Sequence, residues 1–444
     1  MRTLIRLLLV TVALSPTTLL MVIAGPAVLV LAPRRIGAQS LVSGDIAGTI
    51  TDTTGAAIPD AKVTAINTGT GQVKEVTTSG AGNYRISLLQ PGMYTVTATA
   101  AGFQTTQGSL DLSIGQIASQ NFKLEVAKNL TTVEVMGTDI SLLQTHTSDI
   151  ATTISQQEVQ NLPNPGGDIT YLVNLTQGVI MNTQGGSGNS EAFGLPATSN
   201  NFTVNGAEEN DPFFNLNNSG PSNLLLGSND VDEINIVANA YGAQYGSLGG
   251  IQENILTRSG TNKFHGNATY YWTNNDLNAN QWFNDLNTTP EAYANANQGG
   301  AAIGGPILKN KLFFFANFET LRFVTSAPAL VIIPNAAYEG SVIANLNATG
   351  QSEQVPFYNQ LFTLYNNAPG ASAATPYNGT TYANAFEGTP RENLSEQLVT
   401  ARQDAKLGPN DSFFTHFKWD YGVQPAFVDP INSAFDAESD QPTY

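Results

Sequence analysis

The segment 412–421 alternates residue types with a period of two. Its odd-numbered positions are mostly aromatic, whereas its even-numbered positions include His416, Lys418 and Asp420. Successive side chains of a β-strand point to opposite faces, so one face of this segment suits lipid and the other suits water. The pattern predicts a strand of a membrane β-barrel.

Four earlier segments share this extended character. From Phe264, apolar or small residues up to Trp272 occupy one face, and His265, Asn267 and Thr269 occupy the other. The predicted barrel strands are 264–274, 299–307, 311–323, 397–407 and 412–421. The long stretch 326–393 is rich in Asn, Ala, Pro and Gly, and we expect it to be an extracellular loop too irregular for a core.

Composition supports a protein made of strands and turns. Charged residues form 12% of the 444 residues, about half of the usual ~25%. The net charge of -17 disfavours nucleic acid, which requires clustered Lys and Arg. There is no cysteine, and the three histidines lack partners at metal or triad spacing. We therefore expect no enzymatic activity, no metal site and no cofactor.

The N-terminus has the pattern of an export signal. Arg2 and Arg6 precede an apolar run over 7–31, and a small residue stands at Ala38. We expect a signal peptide over 1–38, cleaved after Ala38. The alternative is a membrane-spanning anchor, because the run is long enough to cross a bilayer at about 20 residues.

Short alternating runs bounded by turn residues fill 44–125 and predict a small all-β sandwich. The expected core residues are Tyr84, Ile86, Leu88, Tyr94 and Val96. The sequence GTITDTTGAAIPDAKVTAIN resembles the carboxypeptidase regulatory-like domain, which has the carbohydrate-binding-like fold. The nearest approach to a zinc motif, 146–149, lacks the glutamate of a metallocarboxypeptidase, so no such activity is expected.

A second resemblance lies at 231–266, VDEINIVANAYGAQYGSLGGIQENILTRSGTNKFHG. It looks like the junction between plug and barrel in TonB-dependent outer-membrane receptors, specifically the Oar-like group. The stretch 299–323, and 391–420 with Arg402 and Asp404, resemble the same family. The resemblance implies an α+β plug over 129–257, the first strands of an antiparallel transmembrane β-barrel over 258–444, and a periplasmic N-terminal domain.

In such receptors a short extended segment before the plug, the TonB box, pairs with the energy-coupling protein TonB as an added strand. The candidate residues here are Thr131, Thr132, Val133, Glu134 and Val135. The same residues also fit the last strand of the sandwich or the first strand of the plug.

Within the expected plug, Ser155 followed by Glu158 predicts a capped helix start, and a second helix is expected near 168–175. The stretch 202–214 resembles the family's plug strand with its Asn-Gly turn. Two acidic groups have the oxygens of a cation site but not the spacing of a calcium loop. We expect solvated loops at these groups, which are Glu208, Glu209 and Asp211, and Asp230, Asp232 and Glu233.

The implied function is ligand capture by external loops and plug, followed by energy-coupled uptake across the outer membrane. The ligand is unknown, with carbohydrate or peptide as the classes considered. About five strands fall short of the about 22 of plugged transporters, so we expect an incomplete sequence or a truncated gene product. The alternative is a non-transporting surface protein that binds carbohydrate or protein through its sandwich and plug.

Overall fold

The computed structural model describes residues 42–127, 134–135, 149–163, 169–181, 190–217, 226–242, 245–246, 248–286, 291–326, 329–408 and 411–443. The expected signal peptide, His146 and 131–133 lie outside these ranges. Among the described residues, no helix has the length and apolar character needed to cross a membrane.

The N-terminal domain is a β-sandwich. Its strands are β1 (Gly44–Asp52), β2 (Lys62–Asn67), β3 (Val73–Thr77), β4 (Asn83–Leu89), β5 (Gly92–Thr99), β6 (Thr106–Leu112), β7 (Ile117–Ser119), β8 (Phe122–Leu124) and β9 (Glu134–Val135). One sheet has the order β3-β2-β5-β6-β9, and the other is built on β4-β1-β7 with β8 also paired to β1. Alternate residues of both sheets fill one apolar core between them.

Four of the five expected core residues are buried, which confirms them: Tyr84, Ile86, Tyr94 and Val96. The expectation for Leu88 is wrong, because this side chain is 48% exposed while Leu89 is 0% exposed. Leu88 adopts a left-handed backbone with φ of 58°. This turn of the chain breaks the alternation, so the next leucine enters the core.

A second sheet follows and forms the plug-like domain. Its elements are β10 (Ile150–Ser155), α1 (Gln156–Asn161), a 3₁₀-helix (Ile169–Leu175), β11 (Val179–Met181), β12 (Ser190–Ala192), a 3₁₀-turn (Ala197–Ser199), β13 (Asn201–Val204), β14 (Ala207–Glu208), β15 (Val231–Asn239) and β16 (Gln252–Thr257). The main sheet has the order β10-β15-β16-β13-β14. It packs on α1 and the 3₁₀-helix around a separate apolar core.

Local signals within this domain are confirmed. Ser155 forms a capping box with Glu158: each side chain accepts a hydrogen bond from the backbone N–H of the other. The expected Asn-Gly turn joins β13 to β14, with φ of 53° at Asn205 and 83° at Gly206. Both residues therefore have the left-handed conformation that a two-residue hairpin turn requires.

Within the described residues, the C-terminal half is built on one sheet of mostly long antiparallel strands, here called the wall. They are β17 (His265–Asn274), β18 (Ala294–Leu308), β19 (Leu312–Ser326), β23 (Arg391–Lys406), β24 (Ser412–Phe427) and β25 (Ala437–Thr443), paired in chain order. A 3₁₀-turn (Asn275–Leu277) and α2 (Trp282–Leu286) follow β17, and another 3₁₀-turn (Ser433–Phe435) precedes β25. All five predicted strands are present, and β25 was missed because its composition is polar.

The two faces of the wall differ as the alternation predicts. On β17, Tyr270 and Trp272 are exposed, whereas His265, Asn267 and Thr269 are half-buried. On β24, Phe413 and Phe417 are exposed, whereas Lys418 and Asp420 are buried. The outer face is therefore apolar and the inner face polar, as in a membrane barrel.

The expectation for 326–393 as an irregular loop is wrong. Between β19 and β23 the chain folds into a small subdomain, here called the insertion. Its elements are β20 (Ala329–Pro334), α3 (Ala336–Ala348), a 3₁₀-turn (Ser352–Gln354), α4 (Val355–Asn366), another 3₁₀-turn (Ala371–Ala373), β21 (Thr375–Pro376) and β22 (Ala383–Gly388). Its buried residues Val331, Ile333, Ala368 and Phe386 form a core. The apolar positions are spread over more than 50 residues, which hides them in the sequence.

Candidate functional site: the polar interface between plug and wall

The inner face of the wall carries buried polar side chains that point toward the plug-like domain. They are Asn317, Glu319, Glu396, Thr400, Arg402, Asp404, Lys418 and Asp420. Each occupies an inward position because strand side chains alternate between the two faces. Burying such groups is costly unless they are hydrogen-bonded, so the partners of these side chains decide how the plug is held.

Arg402 of β23 forms hydrogen bonds with both the plug-like domain and the wall. Its Nη1 donates to Asn205 Oδ1 at 2.9 Å and to the backbone oxygen of Thr257 at 3.0 Å, both in the plug. Its Nε and Nη2 donate to the Asp404 carboxylate at 3.0 and 2.9 Å. The guanidinium also lies 4.8 Å from the ring centre of Phe414. Its planar fork lets one side chain bind a carboxylate and the plug backbone together.

Asp230, just before β15, is a second connection. Its Oδ1 accepts the hydroxyl hydrogen of Thr400 at 2.8 Å, and the side chain is 1% exposed. Burial raises the pKa of this plug carboxyl to about 6, although the Thr400 hydrogen bond and the charges of Arg402, Arg258 and Lys418 lower it. The expected solvated loop is therefore wrong for Asp230, and it is also wrong for Asp232 and Glu233, which lie in strand β15.

A third connection is formed around Asn229. Its backbone N–H donates to the Glu319 carboxylate at 3.1 Å, and its side-chain amide donates to Thr269 Oγ1 at 2.9 Å. Arg258 donates to the Asn229 backbone oxygen at 3.0 Å and to Asn267 Oδ1 at 2.8 Å. Gly227 lies so close to Glu319 that a Cβ atom there would overlap the carboxylate. Glycine thus allows the plug backbone to reach the wall.

The remaining acidic residues have different surroundings. Glu208 is exposed, and Glu233 Oε2 accepts the backbone N–H of Ile114, in the sandwich, at 2.8 Å. Burial raises the pKa of Glu233 to about 7. Within the described ranges, no group of three His, Asp or Glu side chains could hold a metal ion.

Of the candidate TonB-box residues, the structure describes Glu134 and Val135. They form β9, which pairs in parallel with Thr106 and Gln107 of β6. Their role as a TonB box stays a prediction. Sequence reasoning named Arg402 and Asp404 but missed Asn229, Thr400 and Glu319. Thr400 and Glu319 occupy strand positions whose side chains point inward, and this alternation could have indicated them. Nothing in the sequence indicated Asn229.

Two family models match the chain. The model described as Carboxypeptidase regulatory-like domain matches residues 45–125, and the one described as Outer membrane beta barrel domain matches residues 256–444. Together with the wall, whose inner face is polar and outer face apolar, these matches identify an outer-membrane β-barrel domain over 256–444 and a regulatory-like sandwich over 45–125.

The chain is similar to the TonB-dependent transporter Oar of Myxococcus xanthus. The two are 29% identical over 272 residues, which cover 58% of this chain and 25% of the relative. The chain therefore spans about a quarter of the length of the curated relative that it matches. The barrel domain and this relationship indicate the outer membrane as its location.

Solved structures of siderophore receptors are also similar. A mutant of the ferric enterobactin receptor PfeA from Pseudomonas aeruginosa is 14% identical, with a TM-score of 0.36, over 62% of this chain and 33% of that chain. The siderophore receptor PirA from Acinetobacter baumannii is 13% identical, with a TM-score of 0.29, over 62% of this chain and 45% of that chain. Both values are too low to support an inference about this chain.

Proposed function

We propose that the protein is an outer-membrane receptor that binds a ligand and takes it up through its barrel in a TonB-coupled step. The observation that carries this proposal is the hydrogen-bonded interface between the plug-like domain and the inner face of the wall. The plug-like domain has an apolar core of its own, and this core contains no residue of the wall.

The interface contacts are polar and can be exchanged for water. A typical hydrogen bond contributes only about 0.5–1.5 kcal/mol net, because water replaces the lost partner. The contacts of Thr400, Arg402 and Glu319 can therefore be broken by pulling without exposing the plug's apolar core. A plug fixed by apolar packing would resist such movement far more strongly.

The direction of the strand connections supports a periplasmic position for the candidate TonB box. The 309–311 turn, and the ends of β23 and β24 at Lys406 and Ser412, lie at the same end of the wall as 258–264, which connects the plug-like domain to β17. Barrels of this kind have short periplasmic turns and longer extracellular loops. The insertion then belongs to the outside, and the sandwich with Thr131–Val135 to the periplasm.

The outer face of the wall supports contact with outer-membrane lipid through exposed Tyr270, Trp272, Ile303, Phe318 and Phe417. The ligand, for which carbohydrate and peptide are the classes considered, would be captured by the external connections and the plug. Uptake of this kind requires no covalent chemistry and no cofactor.

The test is binding of the purified periplasmic domain of TonB to the full-length protein in detergent micelles. Val133→Pro removes a backbone donor that strand pairing requires, and we expect it to weaken binding at least about tenfold, or about 1.4 kcal/mol. Val133→Thr, which keeps the N–H and the β-branched shape, should bind as the wild type does. Absence of TonB binding by the wild type would instead favour the non-transporting surface protein.

A further inference from the structure

The sandwich contacts the connection between plug and wall. Its β2–β3 turn carries Gly69, whose backbone oxygen accepts the N–H of Asn262 at 2.9 Å. The Asn262 side-chain amide in turn donates to Asn310 Oδ1, in the β18–β19 turn of the wall, at 2.8 Å. Asn262 Oδ1 accepts the backbone N–H of Asn310 at 2.8 Å. Gly71 of the same sandwich turn is in close contact with Asn310. The sandwich therefore contacts the end of the wall, and this contact is here called the Gly69 seat.

A second contact, here called the Glu233 seat, joins the sandwich to the plug-like domain. The backbone N–H of Ile114, in the β6–β7 connection, donates to Glu233 of β15 at 2.8 Å. A Cβ atom built on the adjacent Gly115 would lie 3.5 Å from the Tyr245 hydroxyl and 3.6 Å from Asn235 Oδ1. Both of these residues belong to the plug-like domain.

The two seats are fixed relative to each other because the sandwich is a packed body. The β2–β3 turn and the β6–β7 connection extend from strands that share one apolar core. Close-packed interiors transmit displacement rather than absorb it. Strand β15 therefore cannot shift relative to the wall unless the sandwich leaves the Gly69 seat or the Glu233 seat.

We propose that the sandwich is a latch that holds the plug against the barrel wall through its seats at Asn262 and Glu233. Its biological use rests on the proposed uptake function, in which the plug must move. Release of either seat frees the plug from this restraint while the sandwich stays folded.

The structure offers a direct way to lock the latch. A Cβ atom built on Gly69 lies 3.9 Å from the Cβ of Thr261, within the range of about 3.5–4.5 Å that disulfides adopt. The chain has no cysteine of its own. In the double variant Gly69→Cys/Thr261→Cys, only the engineered pair can therefore oxidise.

The experiment measures amide hydrogen exchange of β15 in this variant in detergent micelles, oxidised and then reduced, so that one molecule is its own control. We expect the oxidised form to exchange at least about tenfold more slowly, which is about 1.4 kcal/mol. Equal rates in the two forms would overturn the latch. Unchanged exchange in sandwich strand β5 verifies that the domain remains folded.

A second variant tests the plug seat. Glu233→Ala removes the acceptor of the Ile114 N–H, and we expect β15 to exchange about tenfold faster than in the wild type. Glu233→Gln keeps an acceptor at this position and should remain close to wild type. Wild-type exchange in Glu233→Ala would also overturn the proposal. Neither readout uses TonB or a ligand, so failure of the latch and failure of the uptake function are distinguishable.

Discussion

Arg402→Ala is the sharpest perturbation of the interface between plug and wall. The guanidinium, in a residue that is 8% exposed, donates to Asn205, to Thr257 and to the buried carboxylate of Asp404. Its removal leaves Asp404 buried without its ion-pair partner. Breaking one side of a buried ion pair costs about 3–5 kcal/mol. At about 1.4 kcal/mol per factor of ten, the plug-like domain should open from the wall about 100- to 4,000-fold more often.

The assay is amide hydrogen exchange of β16, which ends at Thr257, in detergent micelles. Exchange limited by local opening reports the free energy of that opening. We expect β16 to exchange faster by about two to three and a half powers of ten, while sandwich strand β5 exchanges as before. In Arg402→Lys, β16 should exchange at a rate between those of the wild type and Arg402→Ala. An ammonium group lacks the planar fork with which the guanidinium reaches both domains.

Gln403→Ala is the matched control, since the neighbouring side chain of the same strand is exposed. Substitutions at such positions usually change stability by less than about 0.5 kcal/mol. If β16 exchange in Arg402→Ala stays within about threefold of wild type, about 0.7 kcal/mol, the reasoning that this arginine holds the plug is refuted.

Three further changes test other parts of the fold. Phe386→Ala removes a core side chain of the insertion, which should lose about 3–5 kcal/mol and become sensitive to limited proteolysis. Ser155→Ala removes the cap of α1, and this helix should lose about 0.5–2 kcal/mol, seen as faster amide exchange at its first turn. Burial raises the pKa of Asp230 from 3.8 to about 6, so its native state binds the proton more tightly. The contribution of this group to stability should therefore fall as the pH rises from about 4 to about 6, and Asp230→Asn should remove that part of the pH dependence of thermal unfolding.

Each of these changes has a control or a contradicting outcome. Phe357→Ala alters a phenylalanine of the insertion that is 62% exposed, and it should leave proteolysis unchanged. Gln157→Ala lies in the first turn of α1 but makes no cap, so equal effects of this change and Ser155→Ala would contradict the capping argument. An Asp230→Asn variant with the full wild-type pH dependence between about 4 and about 6 would exclude this carboxyl as its source.

Features that depend on neighbours along the chain were predictable from the sequence. The faces of β17 and β24 follow from a period of two, which is a property of a single strand. The capping box of Ser155 and Glu158 and the turn at Asn205 are likewise set within four residues. Leu88 shows the limit, since one left-handed residue exchanged the predicted core position for the next one.

The interface itself was decided only by the tertiary structure. Arg402 meets Thr257 and Asn205 across 145 and 197 positions of sequence, and Ile114 meets Glu233 across 119. Alternation indicates that a polar side chain points inward, but many inward positions could satisfy the same donor. Which partner it finds depends on how the plug-like domain packs against the wall, because hydrogen bonds require a distance and an angle that no local pattern encodes.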